Sequence, residues 1–381
     1  MQPLISTLPL MQMASGDELS LQLYRFVGES PGKKVYLQSN LHGAELAGNA
    51  VIHRLIDWLS GLEPAQLQGE IWLVPVCNPL GVNTRSHNFS SGRYNPYDGR
   101  DWNRIFWDYE SATADSSDAI ATFAQSHLES EPDTIVQAYR QQILAAFQIK
   151  AVQLEDPPGM PVHELYAARL QTLALDADYL IDLHSSANRG LIYLYYFTER
   201  AAAARMFGLQ FAALLDNYDG DAFDEAFIKP WLALESAFKA LGRHLRLEIE
   251  AYTLELGAGM ELSPVAVEQG LQGIQHYLSE KGVIMGVPLP TVETRELVMT
   301  RTSQFTKYFA PVGGFLRSRV EPGTWVRAGT VLYSLLCFNK SGQLPSLKPI
   351  RAEHAGLVYD VSINQAFNQG EYVLAVLQPD D

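Results

Sequence analysis

His42 and Glu45 stand three residues apart in Ser39–Ala47, SNLHGAELA, directly after the apolar, strand-like run Val35-Tyr36-Leu37. On a turn entering a helix, an imidazole and a carboxylate at this spacing can close on one divalent metal. A catalytic zinc takes three protein ligands and keeps a further position for water, so a third ligand must come from elsewhere. His184, in Leu180–Ser186, LIDLHSS, is the best candidate. Read singly, His42 fits a turn, Glu45 fits a first helical turn favoured by the macrodipole, and His184 fits a hydrogen-bonded core position. Asp182 alternates with His184 along the strand and suits either an orienter of the imidazole or a buried carboxylate. A zinc would bring the pKa of its water to about 7 and polarise a carbonyl, which leaves a proton to be managed by a base. Glu255, at the end of a strand-like segment where α/β sheets meet their ligands, is the candidate; Glu248 and Glu250 are its rivals on the same segment.

The elements that must position these groups alternate in type. Strands are expected at Glu18–Val27, Lys34–Gln38, Ile71–Val76, Tyr179–Leu183 and Leu191–Phe197, with one or two more in Leu245–Leu256. Helices are expected at Glu45–Leu62, Ser116–Ala151, Val162–Ala174, Glu199–Leu215, Lys229–Leu241 and Pro264–Glu280, the second and third separated by the breaker EDPPGMP. Strands separated by helices of this size predict an α/β fold with a mixed, mostly parallel sheet flanked by helices. Between Ile71–Val76 and Ser116 runs a long Gly-, Asn-, Ser- and Pro-rich segment, NPLGVNTRSHNFSSGRYNPYDGRDWNR, and loops of that length tend to carry function. Its aromatic neighbours Trp102, Phe106, Trp107 and Tyr109 read as packing residues.

Near Gly286 helical periodicity gives way to short β-type runs punctuated by glycine, which predicts two domains, residues 1–288 and an all-β domain over 289–381. PVGGFLRSRVEPGTWVRAGTVLYSL, from Pro311, is echoed by AEHAGLVYDVSINQAFNQGEYVLAVL, from Ala352. The pattern resembles a biotinyl/lipoyl-type β-sandwich. Such domains carry their cofactor on a lysine at a hairpin tip; the second half has no lysine and the first offers Arg317 and Arg319, so a carrier role is disfavoured.

Composition bounds the partners. The 381 residues carry a formal net charge of −15, which repels nucleic acid and anionic membranes and points to small molecules. Only Cys77 and Cys337 are present, which suggests a reducing compartment and a cytoplasmic address. The first twenty residues lack a basic start and a sustained apolar core, and no run of about 20 apolar residues could span a bilayer. Subunit number stays open, a homo-oligomer included.

His42-Gly43-Ala44-Glu45, Asp101-Trp102-Asn103-Arg104, Asp182-Leu183-His184 and Leu254-Glu255-Leu256-Gly257 follow one another in the order and context of the succinylglutamate desuccinylase/aspartoacylase family, related to the zinc carboxypeptidases. The chain resembles that family over its first domain and, through the β-sandwich, most of its length. The resemblance implies one Zn2+ held by His42, Glu45 and His184, water attacking an amide, and Glu255 rather than its rivals as base. Arg93 before Tyr94 matches the family's oxyanion-binding arginine, with Arg85 and Arg100 close enough to compete for that role. Asn103 and Arg104 would hold a substrate carboxylate through an amide and a bidentate fork. The expected function is a zinc-dependent deacylase of a small anionic N-acyl amino acid. A metallocarboxypeptidase acting on short peptides and a non-catalytic metal- or ligand-binding protein are the alternatives. The chain departs from the family pattern in DWNR for the usual DLNR, in Ile105-Phe106-Trp107 where many members have a Phe-Pro-Gly turn, and in the helical stretch from Ser116 to Ala174, which suits a lid or a subunit contact. A late tyrosine contacts substrate in some relatives, and Tyr308 is one choice here.

Overall fold

A computed structural model describes residues 1–85, 91–112, 116–154, 159–289 and 297–378. His87 and most of the breaker EDPPGMP lie outside them. A nine-stranded sheet is built from β1 (Leu4–Gln12), β2 (Glu18–Val27), β3 (Ser30–Ser39), β4 (Gln68–Val74), β5 (Tyr179–Ser186), β7 (Ile192–Tyr196), β8 (Phe211–Leu214), β9 (Glu250–Ala258) and β10 (Val298–Arg301). Their order is β1-β2-β4-β3-β5-β9-β7-β8-β10, and the four central strands β4, β3, β5 and β9 are mutually parallel. The short β6 (Arg189–Gly190) leaves this sheet. Helices α1 (Ala47–Ser60), α2 (Pro79–Asn83), α3 (Tyr109–Ala112), α4 (Ser116–Ser126), α5 (Pro132–Gln153), α6 (Val162–Ala174), α7 (Ala201–Arg205), α8 (Phe223–Ala240) and α9 (Pro264–Glu280) accompany the sheet. No helix among the described residues is long and apolar enough to cross a membrane.

Alternation along the central strands sorts their side chains between two cores. Val35, Leu37, Ile181, Leu183, Tyr252 and Leu254 face one core with Val51, Leu55, Ile274 and Leu278 of α1 and α9. Tyr36, Leu180 and Ala251 face the other with Tyr139, Tyr166 and Trp231 of α5, α6 and α8. On this second face the sequence turns polar toward the strands' C-terminal ends. In register across the sheet, Tyr36, Leu180 and Ala251 are followed by Gln38, Asp182 and Thr253, and then by His184 beside Glu255. Apolar rows hold the sheet, and polar rows at the end of the same strands make the site.

Residues 305–377 form two further sheets. One contains β11 (Phe305–Phe309), β13 (Trp325–Val326), β16 (Gly356–Val361) and β18 (Tyr372–Leu377), joined by β6; the other contains β12 (Gly314–Arg319), β14 (Val331–Cys337), β15 (Ser346–Arg351) and β17 (Ala366–Phe367). Between them lie Leu332, Leu335, Val358, Val361, Val373 and Val376.

Several boundaries differ from the sequence reading. Glu199–Leu215 is not one helix: α7 stops after one turn, Gly208 takes a left-handed φ of 61°, and Phe211–Leu214 becomes β8. A short apolar run buried on both faces has no periodicity to separate strand from helix. The expected helix Ser116–Ala151 is two, because Pro132 starts α5 afresh after α4 ends. Helix α8 begins six residues early at Phe223 and runs through Pro230. The strand in Leu245–Leu256 begins only at Glu250, and β1 was not expected at all.

The turn between β3 and α1 is held by close backbone contact. Gly43 follows His42, its N–H donates to Gly92 O at 3.1 Å, and a Cβ placed on it would meet Gly81 O at 2.2 Å. Gly43→Ala is therefore expected to lower stability by about 1–3 kcal/mol through overpacking, measured by denaturant titration. An unchanged midpoint would mean that this contact gives way freely.

Candidate metal and active site

The turn from β3 into α1 is fixed before any ligand binds. Asn40 adopts a left-handed φ of 63° and donates its side-chain N–H to Glu45 O at 2.8 Å, a conformation that asparagine tolerates better than most residues. Asn78, which caps α2 by accepting from Gly81 N–H, donates to Leu41 O at 2.8 Å. His42 and Glu45 are thereby brought over the end of β5. His42 Nδ1 lies 2.8 Å from Glu45 Oε1, and His184 Nδ1 lies 2.8 Å from Glu45 Oε2. Ser185 N–H also donates to Oε2, at 3.2 Å. All three side chains are buried, and one ligand atom from each falls within 4.8 Å of the others, so that they could hold a metal ion.

Behind each imidazole stands a carboxylate. His42 Nε2 is 2.8 Å from Asp101 Oδ1, and His184 Nε2 is 3.0 Å from Asp182 Oδ2, the latter contact lying off the line of a hydrogen bond. Carboxylates so placed fix the tautomer of a metal-binding histidine and leave its other nitrogen free as a ligand. Asp182, whose role the sequence left undecided, stands where such an orienter would stand beside His184. Asp101 has the matching place at His42, and the sequence reading gave it no role although it opens the DWNR motif.

The electrostatics favour a cation at the point of convergence. Burial alone would raise the Glu45 carboxyl, but the His42 and His184 imidazoles, by charge and hydrogen bond, hold it far below the ordinary range. Burial would lower both imidazoles, yet the surrounding carboxylates raise them, Glu45 leading at His42 and Asp182 at His184. Asp101 is likewise drawn down to about 2 against its burial by His42 and Arg93. Two imidazoles surrounded by carboxylates fit a divalent metal of the zinc type.

A cleft of about 600 Å3 opens on this cluster, lined by Arg93, Asn103, Arg104 and Glu255 together with the three candidate ligands. Glu255 is partly buried, its Oε2 is enclosed without a hydrogen-bond partner, and burial together with the nearby Glu45 charge pushes its carboxyl up to about 7. Glu250 is bound instead by Arg246, Lys281, Tyr252 and Tyr277 at the opposite end of β9, and Glu248 pairs there with Arg246 and Lys281. Neither lines the cleft. Arg93 is held by Asp101, Nη2 to Oδ2 at 2.9 Å, with Nη1 3.9 Å from Glu45 Oε1. Asn103 Oδ1 accepts the first N–H of α8, from Phe223, at 2.9 Å, which leaves its NH2 group as the donor for the cleft. Arg104 also lines the cleft, its Nη1 donating to Asn103 O at 2.6 Å.

Two of the expected arginines are not in the cleft. Arg85 is exposed and spends its guanidinium on the carbonyls of Val82 and Thr84 in its own turn. Arg100 lies beside Asp98 and lines a separate cavity with Lys150 and His163. Tyr308 is also elsewhere, its hydroxyl taking Glu353 N–H within the C-terminal sheets. That region supplies Lys307, Phe309, Tyr359, Asp360 and Tyr372 to the cleft instead. Sequence reasoning missed these residues, along with Asp224 and Glu225 at the start of α8, because no local motif marks them. Trp102 is fully buried, with its ring 5.1 Å from Tyr166, and belongs to the core as expected.

Comparison with known proteins agrees with this arrangement of elements. Residues 31–281 match the model of the succinylglutamate desuccinylase/aspartoacylase catalytic domain. A comparison with curated protein sequences finds no match. Among solved structures, a protein of this family from Shewanella amazonensis is 32% identical over 98% of both chains, with a TM-score of 0.86. One from Shewanella frigidimarina is 28% identical, over 99% of this chain and 98% of the other, with a TM-score of 0.88. The product-bound ectoine utilization protein from Ruegeria pomeroyi, at 17% identity, covers 99% of this chain and 95% of its own with a TM-score of 0.67, a likeness of fold alone. With the catalytic-domain model spanning well over half of the residues and a relative at 32% identity along nearly the whole length, the chain belongs to the succinylglutamate desuccinylase/aspartoacylase family, a family of deacylases.

Proposed function

We propose that this protein is a zinc-dependent amidohydrolase that cleaves the amide bond of a small, carboxylate-bearing N-acyl amino acid. The observation that carries the reading is the convergence of His42, Glu45 and His184 at the floor of a cleft that also presents Glu255 and Arg93. A zinc held by those three side chains supplies a Lewis acid and makes water nucleophilic at neutral pH.

The remaining chemistry belongs to the chain's own residues. Glu255 accepts the proton of the attacking water and returns it to the leaving nitrogen, and a cleft-lining carboxyl pushed up to about 7 is suited to both transfers. Arg93, oriented by Asp101, donates to the oxygen that gains charge when the amide carbon becomes tetrahedral. Arg104 and the Asn103 NH2 group bind the substrate carboxylate. The family's name describes acyl groups removed from acidic amino acids, which fits a cleft carrying these donors.

We read residues 1–288 as the catalytic domain and 289–381 as a biotinyl/lipoyl-like sandwich whose strands complete the cleft. No lysine occurs in either half of the repeat, so it serves as cleft wall rather than as cofactor carrier. Cys77 and Cys337 are both free, in keeping with a cytoplasmic setting.

Purified protein is expected to contain about one zinc per chain, and to release amine from N-acyl amino acids in preference to short peptides in a chelator-sensitive manner. Zinc that fails to bind after reconstitution would end this reading, and faster release from peptides would make the protein a carboxypeptidase. Glu255→Gln should lower kcat/KM by about 10²–10⁴-fold with zinc retained, and wild-type turnover would remove Glu255 from proton transfer. His184→Ala should bring zinc content well below one equivalent by metal analysis, whereas full stoichiometry would take His184 out of the site.

A further inference from the structure

We infer that Asp360, on β16 in the C-terminal part of the chain, is a positioning residue for the metal site, gripping the loop that follows His184. Its side chain is buried at 7% exposure and takes donors from both parts of the chain. Oδ2 accepts from the Ser186 hydroxyl; Oδ1 accepts from Asn188 Nδ2 at 3.1 Å and from the Tyr372 hydroxyl at 2.5 Å. Ser186 Oγ in turn accepts Asn188 N–H at 3.1 Å, closing the turn between the two loop residues that Asp360 holds.

The grip is reinforced by backbone pairing. Gly190 and Arg189 of β6 pair with Asp360 and Val361, and Leu191 N–H donates to Tyr359 O at 2.8 Å. A Cβ on Gly190 would stand 3.3 Å from Asp360 Oδ2, so the strand and the carboxylate are already at contact distance. From Ser186 a series of backbone hydrogen bonds leads to the candidate ligands. Ser186 O accepts Gly259 N–H at 2.6 Å, and Gly259 O accepts Leu46 N–H, next to Glu45, at 3.0 Å. One residue before Ser186, Ser185 N–H donates to Glu45 Oε2. Ser186 is therefore the node at which the turn bearing Glu45, the end of β5 bearing His184 and the loop after β9 meet, and Asp360 is its anchor outside the large sheet. Side chains that orient ligands from outside the coordination sphere typically change metal affinity 10- to 100-fold when lost.

The inference rests on the metal-site reading, and its test separates the two. In the full-length chain, Asp360→Ala, Ser186→Ala and the double variant are compared with wild type for zinc dissociation constant, by competition with a chromophoric chelator, and for amide hydrogen exchange over residues 185–190. Each single variant is expected to weaken zinc binding about 10-fold or more and to speed exchange in that segment while the thermal midpoint moves little. The double variant should be no weaker than the poorer single one, because both substitutions break one link. Wild-type zinc affinity and exchange in both single variants would overturn the inference, as would losses that simply add. Should Asp360→Ala not fold, Ser186→Ala, which leaves β16 and β18 untouched, decides alone. A wild-type chain that binds no zinc would count against the metal site, and faster exchange in the variants would still uphold the Asp360 grip.

Discussion

One carboxylate shared by two imidazoles sets the terms for the rest of the molecule. Glu45 is buried between His42 and His184, and removing such a charge from water costs several kcal/mol unless its oxygens are satisfied. Its solvation shell is replaced by the His42 ring nitrogen from its own turn and by the His184 ring nitrogen and the Ser185 N–H from the distant end of β5. Each supporting group then requires its own support: Asp101 and Asp182 stand behind the rings, Gln38 donates to Asp182 Oδ1 at 3.2 Å, and Arg93 balances Asp101. This dependence explains why polar rows occupy the C-terminal ends of strands that are otherwise apolar, and why β3, β5 and β9 must keep their register. A slip of one residue would exchange Asp182 and His184 for Leu183 on the site face.

Net charge and local charge pull in different directions at this site. The chain carries −15 overall, and Asp224, Glu225 and Glu255 line the same cleft as Arg93 and Arg104. For an anionic substrate the distant charge matters little, since salt screens it beyond about 8 Å. The near carboxylates are moderated in other ways. Asp224 accepts from Thr253 Oγ1 at 2.7 Å, and burial with the neighbouring Asp224 charge raises Glu225 to about 7, so that it is only partly ionised at neutral pH. Among the described residues that line the cleft, the guanidinium groups of Arg93 and Arg104, the amide of Asn103 and the ammonium of Lys307 are donors suited to an anion.

The local part of this architecture was legible in the sequence. His42, Glu45 and His184 stand where a strand ends, and both the period-two pattern and the turn residues mark those positions. The expected α/β class followed from the same alternation. Groups that reach the site from afar left no such mark: Asp360 is an ordinary polar residue of a β-strand until β6 crosses to pair with β16. Arg85, Arg93 and Arg100 share one glycine-rich loop, and only the family resemblance singled out Arg93 among them. Their tertiary partners separate them physically, with Asp101 holding Arg93 and local carbonyls occupying Arg85. The helix expected over Glu199–Leu215 failed for a related reason, since β8 is specified by its neighbours β7 and β10 rather than by its own pattern.

The seam between the large sheet and the C-terminal sheets is structural as well as functional. Tyr193 and Phe211 of the first share an apolar cluster with Leu357, Tyr359, Ala375 and Leu377 of the second, and β10 and β6 each cross the division between them. A cut there would expose these apolar side chains to water and break the backbone pairings of β10 and β6. Tyr193, whose ring packs 5.9 Å from Tyr359, donates its hydroxyl to Tyr195 in the wall of the cleft beside Glu255. The same contacts that hold the two regions together thus form the wall of the cleft around the proposed base, so the packing that stabilises the C-terminal sheets also fixes the surroundings of Glu255.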